Sequence, residues 1–447
     1  MLNEKLDHYL REDYYPFHMP GSKRTNILRD DIPYKRDLTE IYGFDNLNDP
    51  QDIFCQMEEK LADIYQVEDA IISTNGSTSG ILSALRALTY ENKNILIQRS
   101  SHKSVYNAIE LNNLKSDYIN VVLNNVGAII DIDYEDLEEK LKNKNYGVII
   151  VTSPSYEGYY LNLEKIYEIA RKNSTPLIVD MAHGSHSILH GNYKNYFDIA
   201  ITSFHKNLSA LTPSSAVLLN NMNYSKEIRR NMAIFQTSSP SYVILQSIDE
   251  MIDKFAEFYH MYSDLEKNLD AIYNLNLDHL EIINDDKKDK SKILVSTSDT
   301  NIDGFILEEM LRDRKIEIEM SYPTYALLIA SIFDSKIGFD RLQAALLDID
   351  NSIKISSNNF YFAYKIPKKS MEISETIVKE KSAISIGDSV DKICGQFVYA
   401  YPPGIPILSP GEIIDEDIIS TMNYMANHQT KLNIDDTILI LDWQIFS

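Results

Sequence analysis

Four polar clusters in this sequence follow directly on apolar runs, and their side chains suit an anion, a cation or an exposed amine. Thr74-Asn75-Gly76-Ser77-Thr78-Ser79-Gly80 joins a strand-like run to a helix-period segment. Small residues there let backbone approach a ligand, and free amides with hydroxyls suit a phosphate. An ordinary glycine turn with serine caps fits the same letters. Leu177-Ile178-Val179-Asp180, followed by Met181-Ala182-His183-Gly184, ends a buried-type strand in a carboxylate. Such a charge is costly unless a cation meets it, so a salt bridge or a ligand is implied. Ile199-Ala200-Ile201-Thr202-Ser203 leads into Phe204-His205-Lys206-Asn207, placing an amine 26 residues beyond that aspartate. Taken alone, such a lysine is most often solvated. Lastly, Arg99-Ser100-Ser101-His102-Lys103-Ser104 follows Ile95-Leu96-Ile97-Gln98, where an imidazole can cover a planar ligand or simply cap the next helix.

These clusters matter because ligands of open α/β sheets sit beyond the carboxyl ends of the strands. Apolar, β-rich runs at 69–73, 94–98, 118–122, 147–152, 176–180, 198–203 and 215–219 alternate with helical spacing, for example at 77–90 and 163–171. That alternation predicts an α/β domain with a mostly parallel sheet covered by helices. Residues 1–15 read as a short amphipathic helix without an apolar leader core. Residues 242–274 contain neither Gly nor Pro and read as one long helix. The charge run 284–292 reads as an exposed loop. Beyond it the pattern predicts strands at 293–295, 316–319 and 325–329, helices at 302–312 and 338–353, and a Pro- and Gly-rich closing segment at 401–411. The expected organisation is an arm (1–48), a large domain including the long helix (49–275) and a smaller α+β domain (276–447). On one sheet, a phosphate cradle, a ring stacker, a strand-end Asp and a strand-end Lys match the needs of pyridoxal 5'-phosphate, PLP.

Composition narrows the partners. The 447 residues are 44% hydrophobic, and 43 basic against 66 acidic side chains give a formal charge of −23. That balance argues against a nucleic-acid backbone or an anionic membrane as partner. Cys55 and Cys394 provide neither a disulfide framework nor a metal-ligand spacing, so no metal is expected and a reducing cytoplasm is. The longest apolar run, 325–333, is far short of the roughly 20 residues that span a bilayer.

Ordered blocks along nearly the whole chain resemble the PLP-dependent Orn/Lys/Arg decarboxylase family. Phe17-His18-Met19-Pro20-Gly21-Ser22-Lys23 is similar to its H-x-P-G-H-K, and Asp37-Leu38-Thr39-Glu40 with Gly43-Phe44-Asp45-Asn46-Leu47 to its D-x-T-E-x-x-G-x-D-x-L. Further matching blocks are Asn75-Gly76-Ser77-Thr78, Ser101-His102-Lys103-Ser104, Ser153-Pro154-Ser155-Tyr156-Glu157-Gly158, Asp180-Met181-Ala182-His183 and Ser203-Phe204-His205-Lys206. Thr237-Ser238-Ser239-Pro240-Ser241-Tyr242 and Tyr401-Pro402-Pro403-Gly404-Ile405-Pro406, leading to Pro410-Gly411-Glu412, complete the series. Ser22 stands where the family motif has His, and Met181 where it has Glu.

The resemblance implies the PLP-dependent transferase-like fold (fold type I), with a mostly parallel seven-stranded sheet in the large domain, in the family's short form. It also implies a homodimer with sites at the subunit interface, and decarboxylation of arginine, lysine or ornithine to the amine and CO2 through Schiff-base and quinonoid stages. Carried onto this chain, Lys206 would bear the cofactor, Asp180 would hold its ring nitrogen protonated and His102 would stack on the ring. Gly76, Ser77, Thr78, Ser203 and His205 would hold the phosphate, His183 would flank the ring, and Thr237, Ser238 and Ser239 would reach a partner's phosphate. Glu319 would meet the substrate's distal cation, unless it is only a surface acid at a strand end. Transamination, aldol-type cleavage and a non-catalytic PLP-binding homologue remain open alternatives, because fold and cofactor do not fix the reaction.

Overall fold

Runs rich in Ile, Val and Leu pair because their side chains are buried on both faces, the condition that favours parallel strands covered by helices. In the computed structural model, which describes residues 1–12, 14–356, 366–399, 404–427 and 432–442, these runs form a seven-stranded, mostly parallel sheet. Its strands are β1 (Asp69–Ser73), β2 (Asn94–Gln98), β3 (Lys115–Ile119), β4 (Val148–Thr152), β5 (Leu177–Met181), β6 (Ile199–Ser203) and β7 (Ser215–Leu219). The chain divides into two compact units, Met1–Glu91 with Leu163–Asp264, and Asn92–Asn162 with Leu265–Ser447.

In the first unit the strand order is β1-β7-β6-β5. Strand β7 runs antiparallel to both neighbours, while β5 and β6 are parallel. The helix Gly76–Leu88 lies directly on β6 and β7, since a Cβ at Gly80 would stand 2.9 Å from Val217 Cγ2 and 3.0 Å from Ile201 Cγ2. Only glycine allows that approach, and it holds the start of the helix at the sheet end. The expected N-terminal helix is present as Leu2–Arg11, with Leu2 and Leu6 buried and the Asn3 amide donating to Asp249 Oδ2 at 2.9 Å. The expected long helix runs over Tyr242–Tyr273.

In the second unit β4, β2 and β3 are parallel, in that order. A four-stranded antiparallel sheet adds β8 (Glu281–Ile282), β9 (Lys292–Ser296), β10 (Met320–Tyr322) and β11 (Tyr325–Ile329), in the order β8-β9-β11-β10. Helix Gly304–Asp313 connects β9 to β10, and helix Lys336–Ser352 follows β11. Arg99, just past β2, is 1% exposed and pairs with Glu412, which is fully buried, at 3.0 Å. It also donates to the carbonyls of Pro406 and Ile407, at 2.8 and 3.2 Å. The Ser409 amide donates to the same Glu412 oxygen at 2.7 Å. Tyr401, Pro402 and Pro403 of the expected closing segment lie outside the described residues.

Three sequence expectations need correction. The run at 118–122 is split, β3 ending at Ile119 and a separate hairpin forming from Val121–Leu123 and Ile129–Ile132. Polar Lys115, Ser116 and Asp117 occupy the first half of β3 and hid its start. No strand forms at 316–319; Lys315 takes φ +61° after the helix, the Glu319 amide donates to the Leu327 carbonyl at 3.1 Å, and the strand itself begins at Met320. The charge run at 284–292 is not wholly solvated, because Lys288, Asp289, Ser291 and Lys292 are buried. Lys288 Nζ donates to the Lys292 carbonyl and lies 3.3 Å from the Tyr273 hydroxyl. Burial lowers the pKa of that amine to about 7.

Two stability consequences follow from this packing. Glu412→Ala strands a buried guanidinium and is expected to cost about 3–5 kcal/mol in urea unfolding. Gly80→Ala overpacks the interface of helix and sheet and is expected to cost about 1–3 kcal/mol in the same assay.

Candidate active site

Register brings the polar clusters of the first unit to one end of its sheet. Ser73 closes β1 opposite Ser215, and Ser215 in turn faces Ser203 at the end of β6. Asp180 and Met181 pair with Ile201 and Thr202 in the parallel direction. The segments after β1, β5 and β6 therefore leave the sheet at the same edge, as the rule for open α/β sheets requires.

Lys206 sits in the single helical turn Phe204–Asn207 immediately after β6. Its Nζ lies 3.0 Å from His183 Nε2. Asp180 is 3% exposed, and one oxygen accepts the Ala182 amide at 3.0 Å. Burial raises the pKa of its carboxyl, opposed by the nearby Lys206 charge and then by that amide. His205 Nδ1 donates to the Ser214 carbonyl at 2.9 Å, which leaves Nε2 as the lone-pair atom of the neutral ring. Burial lowers its pKa, as does the charge of Lys206, while the bond to Ser214 opposes them. Nε2 of that neutral ring accepts a hydrogen bond, and it donates to an anion only when the ring is protonated.

The loop after β1 has the features of an anion cradle. Asn75 stands at the N-cap without a side-chain cap bond, so the first turn of a 13-residue helix keeps its amides available. Gly76 takes φ +73°, and a Cβ there would lie only in ordinary contact with Pro213. Ser73 and Ser79 share a hydroxyl bond of 2.7 Å that fixes the turn, while Ser77 is half-buried and Thr78 exposed. Ser203 Oγ is buried and has no hydrogen-bond partner among the described residues. A buried hydroxyl in that condition is a place for an acceptor from outside the chain. The buried carboxylate, the amine and the orphaned hydroxyl fit the ring nitrogen, aldehyde and phosphate of PLP.

Other expected site residues are placed as follows. Ser238 is exposed, and its neighbour Thr237 donates its amide to Asn75 Oδ1 of the same chain at 3.3 Å. His102, in the second unit, caps the helix Lys103–Asn112 by accepting the Ser104 amide at 3.2 Å. Glu319, also in the second unit, accepts a hydrogen bond from the Tyr156 hydroxyl. It borders an open cavity of about 310 Å³ whose walls include Ile293, Ile316, Leu328 and Phe339. Glu317 and Asp334 line the same cavity, so its charged groups are all acidic and favour a cation. Two residues were passed over by sequence reasoning. Asn207 is buried, and neither end of its side-chain amide has a partner among the described residues; its place beside Lys206 was the available signal. Tyr156 lies inside the Ser153–Gly158 block, and nothing in the letters links it to Glu319, 163 positions away.

Known proteins extend the same pattern. Residues 2–271 match the Orn/Lys/Arg decarboxylase major domain, and residues 360–433 match the C-terminal domain of that family. The chain is 27% identical over 431 residues to an arginine decarboxylase of Halalkalibacterium halodurans, covering 90% of this chain and 88% of the relative. It is 26% identical over 437 residues to an arginine decarboxylase of Bacillus subtilis, with 90% and 89% covered. The fold is shared with a lysine decarboxylase of Francisella novicida, at a TM-score of 0.84 and 17% identity over 99% of this chain and 81% of that one. The constitutive lysine decarboxylase of E. coli gives 0.79 at 16% identity, over 99% and 82%. With more than half its length matched, the chain belongs to the Orn/Lys/Arg decarboxylase family of PLP-dependent carboxy-lyases.

Proposed function

We propose that this protein is a PLP-dependent decarboxylase of a basic L-amino acid, with arginine or lysine preferred over ornithine and a polyamine-type amine released. The observation that carries this reading is the Lys206 amine, 3.0 Å from His183 Nε2 and near enough to the buried Asp180 carboxylate that its charge opposes the rise in pKa that burial causes. When bound, PLP supplies the electron sink into which the electron pair of the breaking bond to the carboxylate is drawn.

The chain's own residues do the rest. Lys206 offers the amine that carries the cofactor, and His183 Nε2 can take a proton from Nζ so that the amine acts as a nucleophile. Asp180 would hold the proton on the ring nitrogen, at a carboxylate that water does not reach. Gly76, Ser77, Thr78, Ser203 and His205 would bind the phosphate, the orphaned Ser203 hydroxyl supplying a fixed donor. His102 would cover the ring face, and Ser238 would reach the phosphate of a partner subunit. Glu319 would orient the substrate by its distal cation. A homodimer is supported by the apolar arm residues Tyr15, Phe17, Ile27 and Tyr42, all exposed in the isolated chain. The free thiols of Cys55 and Cys394 suit a reducing cytoplasm.

Borohydride reduction of the PLP-loaded protein, followed by peptide mapping, is expected to place the tag on Lys206; a tag elsewhere would overturn the reading. Labelled arginine, lysine and ornithine are expected to release CO2 and give the amine by mass, whereas keto-acid products would point to transamination. Asp180→Asn should lower kcat on the order of 10²-fold or more. The same change should raise the thermal stability of the PLP-free protein at pH 7. The raised folded pKa means that the folded state binds more protons there than the unfolded chain. Wild-type stability therefore falls as pH rises from the ordinary carboxylate pKa toward the folded one, and an uncharged amide escapes that loss.

A further inference from the structure

We infer that Tyr156 is a specificity-determining positioning residue: its hydroxyl fixes the Glu319 carboxylate so that one oxygen is held and the other faces the substrate's distal cation. The inference rests on the reading of Glu319 given above and deepens it. Its basis is a rigid turn that sends two adjacent side chains to different tasks. The Ser155 amide donates to the Tyr159 carbonyl at 2.8 Å, and the Gly158 amide to the Ser155 carbonyl at 3.0 Å. Gly158 takes φ +101°, and a Cβ there would stand 2.7 Å from Lys292 Cγ, so the turn is pressed against a buried neighbour.

Glu157 points inward and is satisfied by neutral donors. Its two oxygens accept the Ser155 and Tyr325 hydroxyls, each at 3.1 Å. Tyr156 instead packs its ring against the apolar cluster that contains Tyr325, Leu327 and Met320, and extends its hydroxyl to Glu319 Oε1. Burial, and then the Glu319 charge, keep that phenol protonated, so it acts as a donor. Two acids on the same stretch meet an arginine: Glu308 pairs with Arg312 at 2.6 Å, and Glu317 meets the same guanidinium at 3.8 Å. Among the described residues no cationic side chain pairs with Glu319. A half-buried carboxylate held by one neutral donor and left without a cation is arranged to receive one. Because Tyr156 pins only one oxygen, it sets where the cation must end, and hence which side-chain length fits.

The test uses the PLP-loaded enzyme with L-arginine, L-lysine and L-ornithine. Tyr156→Phe keeps the ring and its packing, so its melting temperature should match wild type. KM for the preferred substrate should rise about tenfold, the scale of one hydrogen bond to a charged group. By contrast, kcat should move less than about threefold, and the ratio of KM values among the three amino acids should narrow. Glu319→Gln should raise KM further, and the double variant should be no worse than Glu319→Gln alone. Glu319→Asp keeps the charge but withdraws it from the phenol, and should reproduce the Tyr156→Phe effect; it decides the matter if Tyr156→Phe does not fold. Unchanged KM in Tyr156→Phe beside a raised KM in Glu319→Gln, or additive losses in the double variant, would overturn this inference and leave the role of Glu319 intact. Unchanged KM in both would remove Glu319 from substrate binding, and a wild-type enzyme that decarboxylates none of the three overturns both readings.

Discussion

Burying the Asp180 carboxylate at the end of an apolar strand is unfavourable by several kcal/mol unless charge and hydrogen bonds meet it. The first unit is organised around that cost. Parallel pairing of β5 and β6 places Asp180 opposite Ile201, so the chain leaving β6 delivers Lys206 to the same edge. The Ala182 amide and the Lys206 charge both favour the ionised acid, yet burial still outweighs them. A carboxylate left in that deficit is poised for a further cation, and a protonated ring nitrogen is one. The site's affinity for such a group and its intrinsic instability thus have the same origin.

This logic explains why the strands, and the polar residues that follow them, were largely legible in the sequence. Strands covered on both faces read as continuous apolar runs, so β4 to β7 and the residues just past them could be located within a residue or two. Strand β3 was misplaced because Lys115, Ser116 and Asp117 lack that signature. The run at 284–292 misled for a different reason. Charge in a sequence says nothing of backbone acceptors, and Lys288 is buried by donating to the Lys292 carbonyl near the Tyr273 hydroxyl. Pairings across long separations, Arg99 with Glu412 or Tyr156 with Glu319, leave no local pattern at all.

The two buried or half-buried acids beside Tyr156 show how one motif can divide its labour. Glu157 has its charge opposed by burial and its oxygens occupied by the Ser155 and Tyr325 hydroxyls, which favour the ionised form ahead of the more minor Lys292 charge. It can hold the turn but has little capacity left for a ligand. Glu319 keeps its partial exposure and accepts a single phenol. The apolar sheet beneath fixes the distance between them, because Met320, next to Glu319, pairs with Leu327 inside the cluster on which Tyr156 rests.

The departure at position 181 can be weighed in the same terms. Met181 is 2% exposed, its carbonyl accepts the Gly184 amide at 2.8 Å, and the Thr202 hydroxyl lies 3.3 Å from it. Along a strand, successive side chains point to opposite faces, so the side chain at 181 leaves the sheet on the side away from Asp180. The backbone contacts that turn the chain toward His183 are independent of that side chain. A glutamate in its place would bring a second buried carboxylate to the same strand end, with its own desolvation cost. Methionine avoids it, so the change alters packing on the far face and leaves the contact between His183 and Lys206 in place.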